Sequence, residues 1–235
     1  MAGEPKPPYY VVNFSGGKDS TAMLLRLLEL DMPVDEIIFC DTTAEFPQMY
    51  DHVDKVERYI GKPITRLRRE HSWEYMLLHH VKKNGTVGYS FPDFRNRLCT
   101  AYFKRDHIKS YLKDIRKTHE VIHYVGIAAD EPKRIRDHRY PLVEWGWTEA
   151  DCLDYCKGKG FDWGGLYEVF SRVSCWCCPL KSLKELRALY ENYPELWEKL
   201  KEYQGKTWRS FRSDYSVFEL EEKFCKTYHQ MQLFA

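Results

Sequence analysis

What this chain lacks narrows its range first. No apolar run approaches the ~20 residues that a bilayer span requires. The opening segment Met1-Ala2-Gly3-Glu4-Pro5-Lys6-Pro7-Pro8 has no apolar stretch of the kind a secretory signal needs, and residues 1–8 read as a short flexible lead. Net charge is almost absent. The 36 Lys and Arg offset 35 Asp and Glu to leave +1, so no global field draws the chain to nucleic acid or membrane. Internal repeats and low-complexity tracts are missing, which argues against a solenoid or a disordered tail. No stretch supplies the Gly, four residues, Gly-Lys-Ser/Thr of a Walker A loop. A cytoplasmic setting without membrane is expected. In a reducing compartment the 8 cysteines are then buried thiols, metal or cluster ligands, or redox groups rather than a disulfide framework.

What is present is globular. The 235 residues are 43% hydrophobic and 30% charged, enough for one α/β domain with a helical extension. Residues 9–14 read as a buried strand and 19–31 as a helix with Ala22, Leu24, Leu25, Leu27 and Leu28 on its apolar face. Ile37 to Cys40 is a second strand, residues 47–60 a helix with Pro47 in its first turn, and Pro63 to Leu67 a third strand. Two strand–helix units in succession predict a doubly wound, mostly parallel sheet with ligands at the carboxyl ends of its strands. Lys82 to Asn96 reads as a loop able to fold over that end. A helix over 100–117, a strand from Val121 to Ile127 and a helix started by Thr148 follow. Gly158 to Gly165 is a connector, and the chain is helical after Pro179, with Pro194 opening a new helix. The expected division is a nucleotide-binding α/β domain over 9–145 and a mainly helical, cysteine-containing region over 146–235.

The segment Ser15-Gly16-Gly17-Lys18-Asp19-Ser20 sits between the first strand and the first helix. Strand, tight glycine loop and helix start together turn backbone N–H groups toward an anion. Glycine lets the backbone approach a ligand, the two serines add hydroxyls and Lys18 a charge. The bland alternative is a capped turn before an ordinary helix.

Ser15 to Ser20 resembles the pyrophosphate-binding loop of the N-type ATP pyrophosphatases and the related phosphoadenylyl sulfate (PAPS) reductases. Cys40-Asp41-Thr42-Thr43-Ala44-Glu45-Phe46-Pro47, Arg97-Leu98-Cys99-Thr100 with Lys104, and Gly126-Ile127-Ala128-Ala129-Asp130-Glu131 are similar to further segments of that adenine nucleotide alpha hydrolase-like family, in the family's order. The resemblance implies a Rossmann-like fold and ATP as substrate with Mg. The Ser15–Gly17 backbone, Lys18 and Ser20 would hold the pyrophosphate. Asp19 would hold the magnesium or cap the helix. Asp41 would lie near the adenosine with Thr42 and Thr43, Gly126 would join the nucleotide site, and Arg97 and Lys104, with Lys133 and Arg134, would add phosphate contacts. Lys18, Asp19 and Asp130 are the implied catalytic residues, with Glu131 beside them.

Cys175-Trp176-Cys177-Cys178-Pro179 offers three thiols in four residues, with C-x-x-C spacing between Cys175 and Cys178. Adenylyl sulfate reductases of the resembled family carry a 4Fe–4S cluster on a Cys-Cys pair and a later C-x-x-C. By that resemblance Cys99 would complete a set with Cys175, Cys177 and Cys178, or three of them would leave one iron open to carry sulfide. This chain departs from the pattern, with one Cys at the first position and C-x-C-C at the second. Zinc and metal-free thiols remain alternatives. His107 and His123 are substitute ligands. Cys152 and Cys156 share a helix face, and Cys40 reads as packing.

The activity this implies is cleavage of ATP to AMP and pyrophosphate, activating an acceptor for iron–sulfur-dependent sulfur transfer. An adenylyl sulfate or PAPS reductase is the second reading. It needs a cysteine nucleophile near the C-terminus, yet Cys225 has neither the Glu before it nor the Gly after it that the family uses. A nucleotide- and cluster-binding subunit of a DNA-modification or defence complex is the third. The partners considered are a nucleic-acid acceptor stacked on Trp145, Trp147, Trp163, Tyr167 or Trp176, a sulfur donor or reductase protein, and a second copy in a homodimer.

Overall fold

The computed structural model describes the backbone of residues 5–95 and 97–233 and the side chains up to Lys226. Residues 1–4 of the expected lead, Asn96 at the end of the expected loop, and the side chains of Tyr228 and His229 lie outside the described residues.

Four strands, Pro8–Phe14 (β1), Glu36–Asp41 (β2), Thr65–Arg68 (β3) and Glu120–Val125 (β4), form a parallel sheet in the order β3-β2-β1-β4. Both faces are covered, which is why β1 and β2 read as near-continuous apolar runs. Val12, Phe14, Ile37 and Phe39 enter the main core, while Val11, Ile38, Cys40 and Leu67 pack with Leu112 on the opposite face. Lys18–Glu29 (α1) buries Ala22, Met23, Leu24, Leu25 and Leu27 against the main-core face. Pro47–Ile60 (α2) starts on Pro47 and stops at Gly61 in the left-handed region, φ 62°.

Later helices extend the same core. Glu149–Gly158 (α3) has a capping box between Thr148 and Asp151 and packs on α1. Leu183–Asn192 (α4) has another, between Ser182 and Glu185. Pro194–Lys206 (α5) opens on Pro194, and Val217–Leu233 (α6) follows. Leu186, Leu189, Trp197, Leu200, Val217 and Leu220 belong to one buried cluster with the sheet residues. No helix among the described residues is long and apolar enough to cross a membrane.

Two expectations are corrected and one helix is added. The helix over 100–117 is a π-helix, Cys99–Arg105, followed by two short α-helices, Asp106–Tyr111 and Ile115–Thr118. The wider turn frees a carbonyl, and Tyr102 O accepts a bond from Arg69 Nε at 3.1 Å. The helical run after Pro179 is interrupted over 207–216, where Gln204 Oε1 accepts from the N–H of Phe211 at 2.8 Å. A helix at Trp73–Leu78, capped by Ser72, is too short for periodicity to reveal.

Strand order reverses direction between β1 and β4, so their carboxyl ends open a crevice. Gly126 follows β4 there. A Cβ on Gly126 would lie 2.8 Å from Ser20 N and Cα, and backbone cannot yield as a side chain can. Gly126→Ala is therefore expected to lower unfolding free energy by about 1–3 kcal/mol. An unchanged urea midpoint would show that the β4 exit can move off α1.

Candidate functional site

The Ser15–Ser20 loop is braced by contacts from within and from Trp163 and Tyr167. Gly16 has φ 78°, and a Cβ there would meet Met49 Sδ at 2.5 Å. Trp163 Nε1 donates to Gly16 O at 2.7 Å and stacks on His52 at 4.4 Å between ring centres. Burial drops the His52 pKa to about 3, so the ring behind the loop stays neutral. Ser20 Oγ accepts from the Ser15 N–H at 3.1 Å, lies 2.9 Å from Ser15 Oγ, and donates to Gly17 O at 3.0 Å. Gly17 stands at the helix N-cap and offers no side chain to its free N–H groups. Instead the Lys18 N–H donates to the Tyr167 hydroxyl at 2.8 Å.

Lys18 is only 4% exposed, and its ammonium meets Glu149 Oε2 at 2.8 Å and Asp19 Oδ1 at 3.6 Å. Asp19 Oδ1 receives no hydrogen bond among the described residues. Burial raises the Asp19 pKa to about 6. Lys18 opposes that shift, and Glu149 and Glu131 add to it. One carboxylate oxygen each from Asp19, Glu131 and Glu149 lies within 4.8 Å of the others. Three hard oxygen donors beside a phosphate-type loop suit a magnesium ion. Asp130 is not among them. It accepts from the Glu149 N–H at 3.2 Å and so aims Glu149 at the loop. Glu131 also binds Arg134 Nη1, at 2.7 and 2.5 Å.

A second centre lies at the end of β2. Asp41 Oδ1 accepts from the Thr43 N–H at 2.7 Å and the Tyr50 hydroxyl at 2.9 Å, which fixes the turn. That turn sends Thr42, fully buried, to donate to Glu45 Oε1 at 2.9 Å, and the Cys175 thiol points at the same oxygen at 3.4 Å. Burial pushes the Cys175 thiol up, Glu45 adds to this, and Lys104 opposes it. Burial disfavours the Lys104 charge, but Glu45, Cys175, Cys40 and Cys99 outweigh it and raise its pKa. Cys178 feels Cys99 in turn. Cys99, Cys175 and Cys178 thus lie within electrostatic reach of Lys104 or Glu45. Cys177 is buried too; burial first, then Cys175, Cys178 and Glu45, push its thiol up. Lys181, 2% exposed, donates to Ser174 Oγ at 3.1 Å and lies 4.8 Å from the Phe170 ring centre and 5.5 Å from that of Phe46.

A tetrahedral zinc needs its sulfurs about 3.8 Å apart, given Zn–S near 2.3 Å. Among the described residues no three cysteine and histidine ligand atoms come within 4.8 Å of one another.

Elsewhere the structure separates residues that the sequence grouped. Arg97 is exposed at the loop end, and Lys104 faces the thiols. Cys152 and Cys156 are wholly buried, and Cys156 Sγ points at Lys18 O at 3.6 Å. Cys40 is buried in the smaller core. His107 lies outside any metal-type group among the described residues, and His123 contacts Asn13 and Arg116. Trp163 and Trp176 are buried, at 1% and 6% exposure, so neither offers a face to a base. Sequence reasoning missed Glu149, gave Tyr167 a stacking role in place of its bond to the loop, and gave Glu45 no role of its own. The only linear signal for Glu149 was the Thr148 cap before it.

A family model described as phosphoadenosine phosphosulfate reductase domain matches residues 9–181. An uncharacterized protein of Methanocaldococcus jannaschii is 31% identical over 214 residues, which is 83% of this chain and 42% of that protein. A second from the same archaeon is 26% identical over 204 residues, 81% of this chain and 46% of that one. The chain thus spans less than half the length of these two relatives. An uncharacterized protein of Escherichia phage 186 is 25% identical over 250 residues, 83% of this chain and 74% of its own. Among solved structures, a PAPS reductase from Candida auris in a phosphate complex is similar with a TM-score of 0.48 and 20% identity, covering 72% of this chain and 81% of that one.

The raised Asp19 pKa has a measurable consequence. Between 3.8 and about 6 the folded chain binds more protons at Asp19 than the unfolded chain does. Stability from this residue therefore falls as pH rises through that window, and levels off above it. In EDTA, Asp19→Asn is expected to stabilise the protein above pH 6 by about 1–3 kcal/mol, with no gain at pH 4. Urea unfolding across pH checks it. A difference that does not change with pH would show Asp19 to be ionised at little cost.

Proposed function

The chain belongs to the phosphoadenosine phosphosulfate reductase domain family, and from that premise we propose that it binds ATP at Ser15–Ser20 and cleaves it to AMP and pyrophosphate, activating an acceptor for sulfur transfer. One observation carries this reading. The intact loop meets Lys18, Asp19, Glu131 and Glu149 at a single point. A leaving pyrophosphate needs a cation and backbone donors, and its magnesium needs carboxylates.

Each residue then has a part. The Ser15–Gly17 backbone, Ser20 and Lys18 bind and orient the β- and γ-phosphates. Asp19, with Glu131 and Glu149, would hold magnesium, which supplies charge neutralisation on the phosphate oxygens when bound. Asp130 keeps Glu149 in place. Cys99, Cys175 and Cys178 would hold a 4Fe–4S cluster, which supplies an iron site for sulfide when bound. Lys104 offsets their thiolate charge, and Trp176 and Pro179 exclude water.

The placement of Cys225 favours this reading over sulfonucleotide reduction. Its Sγ lies 3.2 Å from the Tyr190 hydroxyl, and Tyr190 packs on Trp197 and Phe224. The Cys225 thiol, though partly exposed, is tied to Tyr190 on a helix face and is a poor mobile nucleophile.

With ATP labelled at the α-phosphate, the products are expected to be AMP and pyrophosphate. Lys18→Ala should slow their formation by about 10²–10³-fold. Release of ADP and inorganic phosphate would overturn the reading, whereas sulfite release from PAPS that is lost in Cys225→Ser would establish the reductase.

Anaerobically purified protein is expected to be coloured, and Cys175→Ser and Cys178→Ser to lose that absorption with their iron. A colourless protein carrying one zinc would replace the cluster.

A further inference from the structure

The nucleotide loop and the thiol pocket leave one charged surface unused. Residues 79–97 and 207–216 together carry six Lys and Arg against two Asp, in a chain whose net charge is only +1. Aromatic rings and cations alternate along these two loops. His80 stacks on Tyr89 at 5.3 Å. The Lys82 ammonium lies 5.1 Å from the Tyr89 ring centre and 5.0 Å from that of Trp208. The Arg209 guanidinium lies 4.9 Å from the Trp208 ring centre, and that of Arg95 lies 5.2 Å from Phe94.

Both outer rings remain open to solvent. Trp208 is 55% exposed and Phe94 65%. Trp208 is also anchored. Trp208 Nε1 donates to Gly88 O at 3.3 Å, and Arg209 bridges to Asp93 at 2.7 Å. Between Phe94 and Arg212 the loops wall a groove of about 750 Å³ that reaches Pro179 and Lys181, directly after Cys178. Trp163 and Trp176, buried in the core, offer no such face, whereas Trp208 and Phe94 do.

We propose that this strip binds single-stranded nucleic acid. Bases stack on Trp208 and Phe94, phosphates lie against Lys82, Lys83 and Arg95, and the groove leads the strand to the thiol turn. Exposed rings interleaved with cations match a polyanion that presents flat π-faces. A duplex hides those faces, and an acidic peptide has none. Only the strand's role as sulfur acceptor rests on the reading in the preceding subsection; the binding surface stands on its own geometry.

The test is fluorescence anisotropy with the purified full chain and labelled oligo(dT), oligo(U) and a blunt duplex of equal length. The single strands are expected to bind more tightly than the duplex, and less tightly as salt rises. Trp208→Ala and Phe94→Ala should each weaken binding by about tenfold. Phe94→Ala tests the strip without touching the Gly88 bond. The double variant Lys82→Ala, Lys83→Ala should flatten the log–log salt slope by about 1. Tighter oligo(U) than oligo(dT) binding would identify RNA, and the reverse DNA. Duplex binding as tight as single-strand binding, displacement by polyglutamate at equal charge, or wild-type affinity in both aromatic variants would overturn the proposal. AMP formation from ATP is measured in the same preparations. AMP formed without oligonucleotide binding overturns this surface alone, and binding without AMP supports the surface while overturning the pyrophosphatase reading.

Discussion

A buried ammonium at the start of the first helix sets the terms for everything around it. Lys18 sits where solvent cannot stabilise its charge, so carboxylates must. Asp19 is its sequence neighbour, but Glu149 comes from 131 residues further along the chain. That pairing ties the C-terminal half to the loop, and it draws with it the whole of the helix that Thr148 caps. The same helix buries Cys152 and Cys156 against α1. The sheet places the loop, and the lysine then dictates what must cover it.

Much of this was legible in the chain. β1, α1, β2 and α2 are local, strongly patterned elements, and Pro47 marked its helix start to the residue. The parallel sheet followed from the strand–helix alternation. The loop's chemistry also reads directly, because glycine, lysine and serine say what they do wherever the turn sits. The π-helix did not, since its periodicity is broken by design of the turn rather than by any residue type. Nor did Glu149 or Tyr167. Both reach the loop only through the packing of α1 against a helix from the other half, and no linear spacing encodes that contact. Buried and exposed tryptophan are equally silent in sequence. Trp163 and Trp208 differ only in what the fold lays over them.

Two centres share one scaffold through the end of β2. Asp41 fixes the turn, and the turn directs Thr42 and Glu45 toward Cys175. Trp176 then hydrogen-bonds to Ala44 O at 3.2 Å, so the thiol turn is registered on the strand by backbone as well as by side chains. The parallel strands thus set both the phosphate loop and the thiol pocket at their carboxyl ends, each with its own cation: Lys18 in one, Lys104 in the other.

The bond between Tyr167 and the Lys18 N–H makes the free protein its own first ligand. An anion arriving at that helix start does not fill a vacant cradle; it competes with a phenol for the same donor. Exchange of this kind sets a threshold of charge. A neutral hydroxyl is displaced by a group that carries formal negative charge and outbids it in the helix field, while water or a sugar hydroxyl gains nothing over the tyrosine. The Tyr167 hydroxyl thus sets what any group must exceed to take the Lys18 N–H.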